Sequence, residues 1–492
     1  MNGTFNKAWM FYWIEFCLKN LIKIGQVNML KLRKTLIALA GIAVVLPTAH
    51  AKVSSDDAAR LKTDLTPFGA VRAGNKSKDE TTLIPEWTGG LTTPPPEYQN
   101  PGQHHPNPFP DDEVLYTVTS QNMSKYSDLL TDGQKALFAA YPETFRIPVY
   151  KSRRTHAAPD WVYKNTRTNA TKAELANKGN GVKDAYGGIP FPLAAQTTKS
   201  GLEMYWNHVT RWRGVYLVRR ASETAVQRNG DFNIVTSQQE AYFKYYNPKG
   251  SAKKLDNILF YYLSFVKAPP RLAGGAVLVH ETVDQVKKPR KAWGYNAGQR
   301  RVRRAPTLAY DTPIAAMDGL RTADDTDMIN GSPDRFDWKY VGTKEKLIPY
   351  NNYEIGNPTT KYDDLLWAGH INPKFTRFEL HRVHVIEGVL KKGQRHIYSK
   401  RVMYIDEDSW GAVSLDQYDG RGELWRVSVA YLKNYYELPG TWTALDVFHD
   451  LQARRYAVQN LDSEESATID FSQPVPKKRY FKPSSLRRRG TR

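Results

Sequence analysis

The sequence has almost no cysteine: its 492 residues contain one, Cys17. Cys17 lies in a leader that we expect the mature protein to lack, so we expect the mature chain to carry no thiol. Disulfides, thiolate catalysis and cysteine-ligated metal sites are thereby excluded. Burial of a large hydrophobic core must hold the fold together instead.

The sequence signatures of common enzyme classes are also missing. The chain contains no G-x-S-x-G nucleophile elbow, no P-loop, no H-E-x-x-H zinc motif and no dinucleotide fingerprint. We therefore expect a protein that is not an enzyme, with no catalytic residues, no resident metal and no cofactor.

Long apolar runs are scarce, and the clearest one lies near the N-terminus, at 36–46. A basic cluster at 31–34 precedes it and an Ala-His-Ala site ending at Ala51 follows, the pattern of a secretory signal peptide. The run is shorter than the roughly twenty residues that span a bilayer. We predict an over-extended gene start at 1–28, a signal peptide at 29–51 with cleavage after Ala51, a periplasmic location, and no transmembrane span in the mature chain.

The chain is strongly basic, with 70 Lys and Arg against 50 Asp and Glu. The densest clusters lie at 287–304 and 477–492. Nucleic acid is the usual partner of a basic chain, but we expect none for an exported protein. An anionic membrane surface, lipopolysaccharide or an acidic protein fits better, and a solvated basic surface without a dedicated partner is an equal alternative. The arginines at 300–304 could bind phosphate through their guanidinium groups or form an exposed strand face.

From about residue 150 onward, the sequence has the turn residues and the alternation of β-strands. Asn229-Gly230, Lys392-Gly393 and Asp419-Gly420 each separate two strand-like runs and predict hairpins. At 425–431, apolar and polar residues alternate, which predicts a strand with one solvent-exposed face. The run at 258–266 is apolar on both faces and predicts a central strand that is covered on both sides.

These patterns predict a mainly β (α+β) fold built on a large curved antiparallel sheet or half-open barrel. The organisation that we predict is an irregular and helical N-terminal segment at 52–150, a β-sheet domain at 151–473 and a basic C-terminal tail at 474–492. Thr131 and Gln134 have the spacing of a capping box and predict a helix start. The proline-punctuated tail is typical of an extended arm or a solvated terminus.

Aromatic residues are abundant, with 12 Trp, 29 Tyr and 18 Phe. On a curled sheet they could line a cavity for a hydrophobic ligand, or they could simply fill a large core. The candidate ligand-lining residues are Trp206, Trp212, Tyr262, Trp293, Tyr310, Trp425 and Tyr431.

Two groups of polar residues could bind a metal. The carboxylates at 406–408 could hold a hard cation such as calcium, although a turn between strands is the simpler explanation. His381 and His384 are three residues apart in a predicted strand, which directs them to opposite faces and argues against joint ligation.

Several segments together resemble an uncharacterised Gram-negative periplasmic family that is labelled outer-membrane lipoprotein-sorting protein-like. The segments include LTPFGA at 65–70, IPEWTGG at 84–90, AYGGIPFP at 185–192, GQRRVRRAP at 298–306, HRVHVIE at 381–387 and YIDEDSW at 404–410. The resemblance covers essentially the whole mature chain. It implies a LolA/LolB-like fold, a curved antiparallel sheet whose concave face is covered by helices, with a domain of unknown function. It also implies that the protein works together with outer-membrane β-barrels and RND-type exporters.

Three functions remain open from the sequence. The first is a periplasmic carrier that binds a lipid or other hydrophobic molecule and passes it to or from the outer membrane. The second is a non-enzymatic periplasmic adaptor that docks an outer-membrane barrel or exporter. The third is an envelope hydrolase that uses residues such as His208, His381 and Asp406.

Overall fold

Strands dominate the computed structural model, which describes residues 53–198, 200–305 and 310–489. The predicted gene-start extension, the signal peptide and its cleavage site lie outside the described residues. The described strands are β1 (Tyr116–Val118), β2 (Ile147–Tyr150), β3 (Glu174–Ala176), β4 (Gly181–Lys183), β5 (Tyr216–Val226), β6 (Val235–Tyr242), β7 (Ile258–Ala268), β8 (Ala276–Thr282), β9 (Lys291–Asn296), β10 (Arg301–Arg304), β11 (Phe336–Pro349), β12 (Phe378–Leu390), β13 (Lys400–Asp406), β14 (Ala412–Tyr418), β15 (Leu424–Tyr435), β16 (Gly440–Asp450), β17 (Arg455–Leu461) and β18 (Ile469–Asp470).

The α-helices of the described residues are short. They are α1 (Ser55–Ala59), α2 (Asp132–Ala140), α3 (Asp160–Ala170), α4 (Gly201–Thr210), α5 (Tyr362–Leu365) and α6 (Pro483–Arg489). In the described part of the chain, none has both the length and the apolar character that a membrane-crossing helix needs.

One sheet contains 16 strands in the order β1-β2-β12-β13-β14-β15-β16-β17-β5-β6-β7-β8-β9-β10, with β11 added at β12 and β18 at β5. The pairs are antiparallel except for a short parallel contact between β2 and β12. The sheet is open among the described residues, since β1 and β10 stand at its two ends. The predicted mainly β fold with a large sheet is therefore confirmed.

The predicted hairpins form where the turn residues stand. Strands β5 and β6 flank Asn229-Gly230, β12 and β13 flank Lys392-Gly393, and β14 and β15 flank Asp419-Gly420. Gly230 and Gly393 have φ of +95° and +83°, a conformation that glycine adopts without steric cost. Local turn chemistry therefore sets much of the strand order.

Two hydrophobic clusters lie on opposite faces of the central strands. In the first cluster, Val162 of α3 and Trp206 of α4 pack with Val383 of β12. In the second cluster, Leu137 of α2 packs with Leu380 of β12. Helices therefore cover both faces of the central strands.

Strand β15 departs from its prediction. Val427, Val429 and Tyr431 lie in the second cluster as the alternation requires, but the polar face is also buried: Arg426 and Ser428 are 7% and 1% exposed. The prediction of a solvent-exposed face was wrong because buried partners satisfy these side chains. Arg426 pairs with Asp450 and Ser428 donates to Gln417.

A third cluster covers the outer strands β5 to β9. In β7, Tyr261, Leu263 and Phe265 belong to this cluster, while Phe260 and Tyr262 pack against the first cluster. The strand is therefore covered on both sides, as predicted from its apolar run.

The C-terminal segment forms a helix against this third cluster. Phe481 stacks on Tyr261 with ring centroids 4.9 Å apart, and Leu486 of α6 is fully buried. Pro483 opens the helix, where its fixed φ and missing N–H are favourable. The expectation of an extended or solvated tail was wrong for this helical part, because these two apolar side chains anchor it.

Candidate ligand groove and buried polar cluster

The β9–β10 hairpin and helix α6 form a groove at one end of the sheet. Strand β10 pairs with β9 from Arg301–Asn296 to Arg304–Trp293 and ends the sheet. Helix α6 lies against β8, β9 and β10. The groove thus joins a hairpin to a helix nearly 200 residues away in the sequence.

The groove has a volume of about 770 Å³, within the range of small-molecule sites. Trp293, Val302 and Pro483 provide its apolar lining. Trp293 and Val302 are partly buried and also pack against the third cluster. The floor of the groove is therefore continuous with a hydrophobic core.

Positive charge surrounds this apolar lining. The arginines that line the groove are Arg300, Arg301, Arg303, Arg304 and Arg487, and no Asp or Glu of the described residues belongs to the lining. The four arginines of the hairpin are exposed, so a single ion pair there contributes little against solvent screening. Several guanidinium groups acting together can bind a phosphate or carboxylate through paired hydrogen bonds. The arrangement suits an amphiphilic anion.

Of the predicted ligand-lining residues, Trp293 lies in this groove. Trp206 and Trp212 belong to the first cluster, 0% and 3% exposed, and their indole N–H groups donate to the carbonyls of Gly179 and Pro439 at 2.8 Å. Tyr431 is buried in the second cluster.

The other three predicted residues lie elsewhere. Tyr262 packs against the first cluster, and burial raises its pKa. Tyr310 lies under the guanidinium of Arg335 at 3.5 Å. Trp425 packs beside Arg426 at 4.3 Å. The structure does not bring the seven residues into one pocket, and a ligand-lining role for those outside the groove stays a prediction.

A second notable feature is a buried cluster of acidic and histidine side chains around the turn after β13. His381, Asp406 and Asp408 are each at most 4% exposed. Both oxygens of Asp408 accept hydrogen bonds from Arg154, at 2.9 and 2.6 Å. Nε2 of His381 lies 3.0 Å from a carboxylate oxygen of Glu379. The predicted turn at 406–408 is present, but its carboxylates point into the protein and not into solvent.

The pKa values of the two aspartates in this turn are shifted in opposite directions. Burial and the neighbouring charge of Asp408 raise the pKa of Asp406 to about 6. The pKa of Asp408 is lowered: its burial acts in the opposite direction, but the Arg154 guanidinium outweighs it. The carboxylate of Asp408 is thus paired with an arginine, while no Arg or Lys of the described residues is bonded to that of Asp406.

The remaining histidines of interest are structural neighbours of this region. Thr343 bonds to Nδ1 of His384 at 2.8 Å, and the His384 ring packs on Trp410. Burial lowers the pKa of His208 to about 3, and its ring nitrogens contact backbone groups such as the carbonyl of Asp327. His384 is not part of the group formed by His381, Asp406 and Asp408; that His381 and His384 do not ligate a metal together stays a prediction.

Sequence reasoning identified part of each site. It singled out the arginines at 300–304 and the carboxylates at 406–408. It missed the contributions of Ser484 and Arg487 to the groove, and those of Arg154 and Glu379 to the polar cluster. No local sequence pattern links these positions, because the sheet topology alone brings them together.

Comparison with known proteins gives a match to one family model. The model described as "Protein of unknown function (DUF1329)" matches residues 117–487. A relative from Pseudomonas aeruginosa, the uncharacterized protein PA3922, is 45% identical over 455 residues, which cover 92% of this chain and 97% of the relative.

Two solved structures are similar to part of this chain. A domain named for outer-membrane lipoprotein sorting, from Vibrio parahaemolyticus, has a TM-score of 0.41 at 12% identity and covers 58% of this chain and 98% of its own. The LolA superfamily protein NE2245 from Nitrosomonas europaea has a TM-score of 0.34 at 10% identity, covering 57% and 97%.

Proposed function

The chain belongs to the DUF1329 family of proteins of unknown function, and on this premise we propose that it is a non-enzymatic periplasmic carrier. Its ligand is a lipid or similar hydrophobic anion, bound in the groove between β10 and α6 and passed to or from the outer membrane. The observation that carries this proposal is the combination of an apolar floor with a rim of arginines. Neither feature alone would favour an amphiphile.

The apolar lining and the arginines of the groove have different energetic roles. Burial of an acyl chain is worth roughly 0.8 kcal/mol per methylene, so about ten buried methylenes give roughly 8 kcal/mol before the entropic cost of association. The exposed arginines add less, but they select the sign of the headgroup. Affinity should therefore depend mainly on chain length, and selectivity mainly on charge.

Native mass spectrometry and fluorescence titration with short-chain phosphatidylglycerol and phosphatidylcholine test the proposal. We expect the protein to bind one anionic phosphatidylglycerol and to bind the zwitterionic lipid of equal chain length more weakly. The double variant R301A/R303A should lose at least tenfold in affinity for the anionic lipid. The control R395A/R421A removes two exposed arginines from distant turns and should bind as the unaltered protein does.

A Trp293→Ala variant tests the apolar half of the groove. It should weaken the binding of both lipids, because it removes apolar surface from the lining and leaves the charge unchanged. If the unaltered protein binds neither lipid, or if R395A/R421A loses as much affinity as R301A/R303A, the proposed site is wrong.

An adaptor for an outer-membrane barrel or an RND-type exporter is the second candidate. Strand β10 supports it, because β10 ends the sheet and its outer edge has no partner strand among the described residues. Such an edge offers backbone groups for an added strand. A Val302→Pro variant would remove one backbone donor from β10. Because Val302 also lines the groove, Val302→Ala, which keeps that donor, is the matched control: loss of partner capture in the proline variant alone would favour the adaptor.

A further inference from the structure

The buried polar cluster has the composition of a metal site. One ring nitrogen of His381 and one carboxylate oxygen from each of Asp406 and Asp408 all lie within 4.8 Å of one another. Ligand atoms bound at about 2.1 Å to one tetrahedral ion are roughly 3.4 Å apart. Small side-chain rotations would therefore bring these three atoms to bonding distance of a single ion.

The contact with Glu379 uses one of the two ring nitrogens of His381. Nε2 of His381 lies 3.0 Å from Glu379, whose carboxylate also accepts hydrogen bonds from Arg377 at 2.6 Å and Asn351 at 2.9 Å. A carboxylate held in this way favours the tautomer with the proton on Nε2 and the lone pair on Nδ1. A histidine whose second nitrogen donates to a carboxylate is the usual arrangement of a metal ligand.

An unpartnered carboxylate oxygen in the cluster points independently to a bound group. Oδ2 of Asp406 accepts the backbone N–H of Ser409 at 3.0 Å, but Oδ1 is buried without a hydrogen-bond partner among the described residues. Buried polar atoms are normally satisfied, so an unsatisfied carboxylate oxygen next to two further potential ligands calls for an explanation.

We propose that His381, Asp406 and Asp408 bind one divalent transition-metal ion of the Zn²⁺ or Mn²⁺ class. The imidazole disfavours Ca²⁺ and Mg²⁺, which prefer oxygen ligands, and the missing thiolate disfavours Cu⁺. Arg154 remains bonded to Asp408, because each carboxylate oxygen has a second lone pair for the ion. Three protein ligands leave at least one position for water.

Metal titration of the untagged, EDTA-treated chain tests this inference. Isothermal titration with ZnCl₂ and with MnCl₂, followed by elemental analysis after desalting, should give one tightly bound ion per chain for one of the two metals. The Asp406→Asn variant keeps the shape of the side chain and should lower the affinity at least 100-fold. Asp446→Asn is the matched control, since Asp446 is a buried aspartate that bonds to Thr443 and Asn460 elsewhere in the sheet.

Two further measurements guard against a variant that fails to fold. Co²⁺ added to the unaltered protein should give visible absorption bands of a bound ion, which Zn²⁺ abolishes by displacement. Glu379→Gln keeps all three ligands and should weaken binding by 10- to 100-fold, because it loosens the ligand histidine. The inference is overturned if the unaltered chain retains no ion, if Co²⁺ gives only the spectrum of the aqueous ion, or if Asp406→Asn binds as tightly as Asp446→Asn.

Discussion

Asp416 on β14 is a buried acid whose removal should stabilise the protein at neutral pH. The side chain is 0% exposed, and the hydroxyl of Tyr404 donates to it at 3.1 Å. Burial raises its pKa to about 7, against an ordinary value of 3.8, although nearby donors at Gly133 and Tyr404 act in the opposite direction. Its second oxygen meets no side-chain donor among the described residues.

The raised pKa fixes the direction of the pH dependence. The folded protein holds the proton of Asp416 more tightly than the unfolded chain does, so this stabilising contribution is complete below about pH 4 and is lost as the pH rises through 7. A difference of about three pKa units corresponds to about 4 kcal/mol. Asp416→Asn places a permanently neutral side chain of the same shape there, so it should add about 4 kcal/mol at pH 8 and less than about 1 kcal/mol at pH 4.

Urea unfolding at pH 4, 6 and 8, followed by tryptophan fluorescence, measures this gain. Asp111→Asn serves as a control, because Asp111 is exposed and should have little effect at any of these pH values. An Asp416→Asn variant that is no more stable than the unaltered protein at pH 8, or whose gain does not grow between pH 4 and pH 8, would refute the reasoning.

Three further substitutions test the packing. Thr131→Ala removes the buried N-cap of α2 and should lower the unfolding free energy by about 1 kcal/mol in urea melts, whereas Thr131→Ser should retain most of it. Gly133→Ala should destabilise by about 1 to 3 kcal/mol in the same assay, because its methyl group would stand 2.6 Å from Val427; unchanged stability would contradict this packing. Phe481→Ala should speed tryptic cleavage of the basic helix α6, since it removes the ring stacked in the third cluster. Val475→Ala, at a position that is 41% exposed, should leave that cleavage rate unchanged.

The features that the sequence predicted well are local ones. The three glycine-containing hairpin turns and the capping box at Thr131 and Gln134 appear where expected, because neighbouring residues alone determine them. Burial of polar residues was harder to predict. Arg426 looks like a solvent-facing residue in its own strand, and its buried partner Asp450 lies on the next strand.

The same is true of the candidate sites: their local features could be predicted, and the contacts between residues distant in the sequence could not. The arginines at 300–304 were visible as a charge cluster, but the helix that completes the groove comes from 483–489. The carboxylates at 406–408 were visible as a turn. The pairing of β12 with its neighbours brings Arg154 to Asp408 and places His381, with its partner Glu379, beside this turn. No local sequence pattern predicts that the residues of either site come together, since both sites depend on the strand order of the whole sheet.

Strand β15 contributes side chains to both the first and the second hydrophobic cluster, so we expect the two clusters to unfold together. Its odd-numbered residues Val427, Val429 and Tyr431 belong to one cluster, while Ala430 and Leu432 belong to the other. We therefore expect that loss of this strand would disrupt both clusters at once. Calorimetry should accordingly record one cooperative heat-absorption peak for residues 51–492, despite a length at which many chains melt in stages.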